Sequence, residues 1–265
     1  MTFSVAATAT AATAAAMATI VPPPAPTATR THESRAAEPV TGRCAGCSAR
    51  SKGLCGALTT GDLPDLSAAS RPLDLLSATP VVMEGEEATA VFTVMSGMLK
   101  LYKTLPDGRQ QITGFATAGD VIGLAVGTGY AYTAETVTAS TVCRMSRTAL
   151  HRLMERHPAV QGRLLAMTSV ELSAAQDQIL LLGCKTAMER VSSFLLALSR
   201  RSRPLADGTP SVFLPMPKVD IGAYLGLRPE TLSRVLRKLE EAGAITRLSN
   251  DRIRIENPAA LEATA

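Results

Sequence analysis

Apolar and polar positions change their rhythm twice along the chain. From Thr79 to Met145 short β-prone runs alternate with turn signals. PVVME is followed by Gly85, AVFTVM by Ser96-Gly97, MLKLYKT by Pro106-Asp107-Gly108, and RQQITGF by Ala118-Gly119-Asp120. Val121–Val126, Tyr132–Val137 and Thr141–Met145 complete the series. Short strands at such intervals predict a small antiparallel barrel or jelly roll, with Asp107-Gly108 as its sharpest hairpin turn. Before it, Leu58–Ser77 reads as helical, with Leu63, Leu66, Leu73 and Leu76 available for packing. After it, Ser146–Arg156 reads as a short helix.

The rhythm then becomes helical. Pro158–Gly183 has no glycine between its ends except Gly162, and a heptad seam runs through it. Gln161, Leu165, Thr168, Leu172, Ala175, Ile179 and Leu182 fall at alternating steps of four and three, which puts them on one stripe, as in a two-stranded coiled coil. Such a helix of roughly 25 residues spans about 37 Å. We expect it to pair with its twin in a homodimer; Val160, Leu164 and Met167, beside the seam, are free to pack on the chain's own barrel. A long core helix is the alternative.

Beyond Cys184 the pattern predicts a helix at Ala187–Arg201, a brief strand at Val212–Leu214 and two helices, Lys218–Leu225 and Pro229–Ala242. Gly226-Leu227-Arg228 forms the turn between them, and Ile221, Leu225, Leu227, Leu232, Val235, Leu236 and Leu239 supply the apolar faces. Ala244–Leu248 and Arg252–Glu256 flank Ser249-Asn250-Asp251 as a wing. In such a helix-turn-helix the second helix enters the major groove with its first turns on base edges. Its outward residues suit that chemistry: Arg234 can donate twice to guanine, Glu230 can accept from cytosine, and Ser233 can do either. Arg237, Lys238 and Arg247 lie where phosphates are met.

Composition sharpens this. The chain has 265 residues, room for about two domains, and a net charge of +4. From Cys184 onward there are 13 Lys/Arg against 9 Asp/Glu, which points to a polyanionic partner, here double-stranded DNA. Tryptophan is absent, so stacking on single-stranded bases is not the expected mode. No apolar run reaches the ~18 residues of a membrane span, and no Lys or Arg precedes the Ala/Thr-rich start as in a secretion signal, so a cytoplasmic protein is expected. Residues 1–40 are low-complexity and are expected to be a disordered tail. The organisation is then a tail (1–40), a cysteine-rich loop (41–57), a sensor barrel (58–157), a dimerisation helix (158–183) and a winged helix-turn-helix (184–265), an α+β chain. No nucleophile–base set, phosphate loop or acid pair points to an enzyme.

Three of the five cysteines crowd into Cys44–Cys55. Cys44-x2-Cys47-x7-Cys55 supplies three thiolates on one segment, and Cys143 in the last barrel strand can supply a fourth. Four thiolates suit an iron–sulfur cluster or tetrahedral zinc, and spacing does not choose between them. Cys184 reads as a packed or half-exposed thiol.

The stretch LGLRPETLSRVLRKLEEAGAI resembles the recognition element of the CRP/FNR superfamily of bacterial transcription regulators, and Glu230, Ser233 and Arg234 in E-x-x-S-R form resemble its FNR/FixK branch. That resemblance implies a β-roll sensor, a TTGAT-like palindromic site, RNA polymerase as a partner, and a [4Fe-4S] cluster on Cys44, Cys47, Cys55 and Cys143 sensing oxygen. Two departures stand out. Arg228 precedes Pro229 where a Ser or Thr cap is expected. In the family's cyclic-nucleotide pocket, Leu124 and Tyr132-Thr133 stand where a glutamate and an arginine pair belong, so no cyclic nucleotide is expected. A cluster-free FixK- or NO-type regulator, a zinc or thiol switch, and an electron-transfer protein are the alternatives.

Overall fold

The structure is a computed structural model; it describes residues 40–124, 127–202 and 204–265. The expected disordered tail, 1–40, lies outside the described residues but for Val40, as do positions 125 and 126 of the expected strand Val121–Val126. The described residues make one compact unit.

The chain opens with α1 (Val40–Ala45), a one-turn 3-10 segment at Leu54–Ala57 and another at Thr60–Asp62. Helix α2 (Leu63–Ala69) follows. The segment expected to be one loop, 41–57, is thus partly helical at both ends. The helix expected over Leu58–Ser77 is corrected: it stops at Ala69, and Ser70–Leu75 is strand β1. Pro72 is the reason. A proline inside a helix removes a hydrogen bond and clashes with the preceding turn, whereas an edge strand accommodates it, and β1 is an edge strand. Leu63 and Leu66 are buried, but Leu76 is 62% exposed.

The barrel strands are β2 (Pro80–Val82), β3 (Ala90–Ser96), β4 (Met98–Thr104), β5 (Gln110–Thr117), β6 (Val121–Ile122), β7 (Thr133–Thr136) and β8 (Ser140–Ser146). They form two four-stranded antiparallel sheets, ordered β1-β8-β3-β6 and β2-β7-β4-β5. Alternation along each strand sends one face inward, and Val94, Leu99, Ile122, Ala134 and Val142 meet between the sheets. The outer face of the first sheet carries a second core, in which Val91, Val121 and Met145 pack against Leu54, Leu63, Leu66, Leu150, Leu153 and Val160.

Helix α3 (Arg147–Arg156) starts where the Ser146 hydroxyl accepts from the Ala149 amide. Helix α4 (Pro158–Cys184) is 27 residues long, and only Val160 in it is buried; Leu164 and Met167 are half-buried against the barrel. Helix α5 (Ala187–Arg201) is begun by a capping box of Thr186 and Glu189. Strand β9 (Ser211–Phe213), helices α6 (Lys218–Leu225) and α7 (Pro229–Glu241), strands β10 (Ile245–Arg247) and β11 (Arg252–Ile255), and helix α8 (Pro258–Ala263) finish the chain. The last sheet is ordered β10-β11-β9. Gly226 turns between α6 and α7 at φ +62°, a left-handed conformation glycine adopts without strain. Gly222 lets the turn close: a Cβ there would stand 2.5 Å from the Leu227 carbonyl oxygen.

Candidate nucleic-acid interface and cysteine centre

Helix α7 buries Leu232, Val235, Leu236 and Leu239 and turns its opposite face outward. Glu230, Arg234, Arg237 and Lys238 are exposed there, and Ser233 is half-exposed. Arg237 pairs with Glu241 one turn on, at 2.9 Å in the open, so it is free to exchange that partner for a phosphate. Arg234 Nη2 donates to the Thr231 hydroxyl at 3.3 Å. As the sequence suggested, Arg228 gives α7 no side-chain cap. Arg247, expected to meet phosphate, is exposed and paired with its own domain: its guanidinium donates to Glu240 Oε2 at 2.5 and 2.9 Å and holds that carboxyl below its ordinary range. One residue escaped the sequence reading. Lys218, in the first turn of α6, donates to Ser233 Oγ at 3.3 Å, putting a cation beside the reading face. Its signal was the rule that the first helix of such a motif crosses the DNA backbone.

The seam of α4 faces away from the chain. Leu165, Leu172 and Ile179 are 62–71% exposed, Gln161, Thr168 and Ala175 are exposed too, and Leu182 is half-buried against the α6–α7 turn. Apart from Leu182, no part of the described chain covers this stripe.

Cys44, Cys47, Cys55 and Cys143 line a single cavity with Arg43, Arg50, Leu66, Pro72, Thr93 and Met95. Topology brings them there. Cys143 lies on β8 opposite Pro72 of β1 and Thr93 of β3, and the segment carrying the other three folds over that sheet. Burial and the mutual repulsion of the other three sulfurs push the Cys55 thiol up to about 12, and burial raises Cys143 as well. Burial thus favours the protonated form of Cys55 and Cys143 until a cation compensates the thiolates. Among the described residues no three Cys, His, Asp or Glu side chains converge as a single-ion site. Tetrahedral zinc wants its sulfurs about 3.8 Å apart, from bonds of ~2.3 Å. Four thiols around one cavity are a donor set that either a four-thiolate cluster or zinc could use. Arg43 Nε is buried there with no hydrogen-bond partner among the described residues, as expected of a donor facing an anionic group. Cys184 is exposed and far along the chain from this group.

The cavity is joined to α4. Arg163 donates to the backbone oxygens of Lys52 (2.5 Å) and Gly53 (3.4 Å), between Cys47 and Cys55. Neither Arg43 nor Arg163 stood out in the sequence; the one signal was Arg43 flanking Cys44.

A barrel, a long helix with an uncovered apolar stripe and a winged helix-turn-helix with a cationic outward face define a DNA-binding regulator. Residues 189–264 match the Crp-like helix-turn-helix domain, and residues 74–157 match the cyclic nucleotide-binding domain. The chain is 36% identical over 228 residues to the nitrogen fixation regulation protein FixK of Bradyrhizobium diazoefficiens, covering 86% of this chain and 96% of that one. It is 36% identical over 219 residues to the transcriptional activatory protein AadR of Rhodopseudomonas palustris, covering 83% and 91%. Among solved structures, FixK2 from Bradyrhizobium japonicum superposes with a TM-score of 0.69 at 36% identity, over 74% of this chain and 96% of that one. The chain belongs to the CRP/FNR family of transcription regulators and is not an enzyme.

Proposed function

We propose that this regulator is a homodimer that couples oxygen or redox state to DNA binding through a [4Fe-4S] cluster held by Cys44, Cys47, Cys55 and Cys143. The observation that carries this reading is the cavity lined by those four thiols, with its rim bonded to α4 by Arg163. When bound, such a cluster supplies oxygen-sensitive redox chemistry. The chain's own residues do the rest. The four thiolates tie the N-terminal segment to β8; Arg163 passes that constraint to the base of α4. With its base fixed, α4 pairs through Leu165, Thr168, Leu172, Ala175, Ile179 and Leu182. Two copies of α7 then lie about one DNA turn apart, ~34 Å, on a TTGAT-like palindrome. Glu230, Ser233 and Arg234 read base edges, and Arg237 and Lys238 meet phosphates. Loss of the tie frees the base of α4 and weakens pairing; Ala174 and Ala175 carry no charge to oppose it, so some dimer persists.

Cyclic nucleotide is not the effector in this reading. The Tyr132 hydroxyl accepts from the Gly123 amide (3.1 Å), and Tyr132-Thr133 stand in the sequence where the family's phosphate-compensating arginine pair belongs. The protein works in the cytoplasm, and RNA polymerase is its partner at the promoter.

Anaerobic purification with iron and sulfide analysis tests the proposal. The expected result is a coloured protein with about four irons per chain, lost in Cys143→Ser, and with DNA affinity falling in air. A colourless protein carrying stoichiometric zinc, or one whose DNA binding ignores both oxygen and Cys143→Ser, overturns it.

A further inference from the structure

The reading head is bonded to the barrel as well as to α4. Lys100 on β4 stands between Glu135 of β7 and Asp220 in the first turn of α6, 3.3 Å from each, with its side chain 16% exposed. Beside it, the Gln111 side-chain amide on β5 donates to the Ala223 carbonyl oxygen of α6 at 2.6 Å. Phe115 of β5 meets Tyr224 at 5.4 Å between ring centres, and Tyr224 meets Phe194 of α5 at 5.5 Å. Met98, Phe115 and Val137 from the barrel belong to the same apolar core as Ile221 and Leu225. On its other side α6 is held by Gln178 of α4, which donates to the Tyr224 carbonyl oxygen at 2.7 Å, and by Arg190, which donates to those of Leu182 and Leu225. All these contacts fall on α6 and α5, while the outward residues of α7 stay free.

We propose that this β4–β5 contact with α6 is an orientation clamp, and that Lys100 and Gln111 determine which spacing between half-sites the regulator accepts. It rests on the dimer reading above. In a dimer held along α4, the direction of each α7 depends on how firmly its head is fixed. Adding one base pair between half-sites moves the second by about 3.4 Å and turns it by about 35°. A head hinged only at Lys185-Thr186 could follow that change. A head clamped to the barrel cannot, and so rejects the altered site. Removing the Lys100 charge leaves Glu135 and Asp220 facing each other without a cation, which drives the head off the barrel.

The test is binding of the full-length protein to synthetic palindromes with the preferred spacer, spacers one and two base pairs longer or shorter, and an isolated half-site. Wild type is expected to favour one spacing sharply. Lys100→Glu and Gln111→Ala are expected to lose roughly tenfold on that spacing, to lose little on the others and nothing on the half-site. Asp220→Lys added to Lys100→Glu is expected to restore the sharp preference, which a general loss of folding could not do. An unchanged spacing profile, an equal loss on every site including the half-site, or no rescue by the charge swap overturns the clamp. A wild type that stays monomeric and prefers no palindrome is a different outcome: it defeats the dimer reading, on which the clamp depends.

Discussion

At the scale of single residues, the chemistry divides between groups that are exposed and groups that are buried. Arg234 is exposed in the first turns of α7 and donates to the Thr231 hydroxyl at 3.3 Å. Arg234→Ala is expected to cost about 1–3 kcal/mol in operator affinity and to relax selectivity at one base pair. Lys238→Ala should instead weaken all sequences alike and lower the slope of log affinity against log salt by about one. Titrations at several salt concentrations on matched and mismatched operators separate the two. The thiols divide in the same way. Cys55 is pushed up to about 12, so at pH 8 almost none of it is thiolate in the metal-free protein, while Cys184 lies open to reagent. Brief iodoacetamide treatment of metal-free protein, followed by mass mapping, should therefore find Cys184 labelled before Cys55. Because burial and the neighbouring sulfurs penalise the Cys55 thiolate, the metal-free fold loses stability as pH rises from about 9 toward 12. Arg43 is the residue whose role depends most on the cysteine centre. With the cluster proposed above in place, Arg43→Leu should lower the midpoint potential of reconstituted protein, because a cation that offsets the charge of the reduced form is gone; potentiometry reads this directly.

At the scale of elements, periodicity was a good guide wherever a single rule dominated. Except for β6, which stops at Ile122 before Gly123 (φ +82°) where Val121–Val126 was expected, the strands from Pro80 to Ser146, α5, α6 and α7 lie within a residue or two of their expected bounds, since alternation and the 3.6-residue stripe each record one buried face. Leu58–Ser77 misled because leucine spacing was weighed without Pro72, whose fixed φ and missing amide proton rule out a helix interior. Helix α8 escaped notice because its six residues hold one buried apolar side chain, Leu261, too few to show a period. The long helix carries the clearest element-level prediction. Leu172 is 62% exposed in the single chain, so Leu172→Glu should leave folding intact while abolishing pairing. Sedimentation velocity should then show monomer, with an unchanged circular dichroism spectrum. Leu225→Ala, by contrast, empties a fully buried position and should cost about 2–5 kcal/mol of stability in urea melts.

At the scale of the whole molecule, the sequence by itself determined the elements, their faces and the inventory of reactive groups. Those depend on local sterics and on spacing along the chain, and both are written in residue order. It also gave the four cysteines as a set, but only as residue types at a spacing. That they line one cavity, with Arg43 inside and Arg163 leading out to α4, was decided by the way β1 and β8 pair beneath the N-terminal segment. That Lys100 reaches Asp220, 120 positions away, was decided by the packing of α6 on the β4–β5 hairpin. Contacts between residues far apart in sequence leave no periodic trace, because each partner alone looks like an ordinary surface charge. They exist only once desolvation and close packing have brought the two surfaces together.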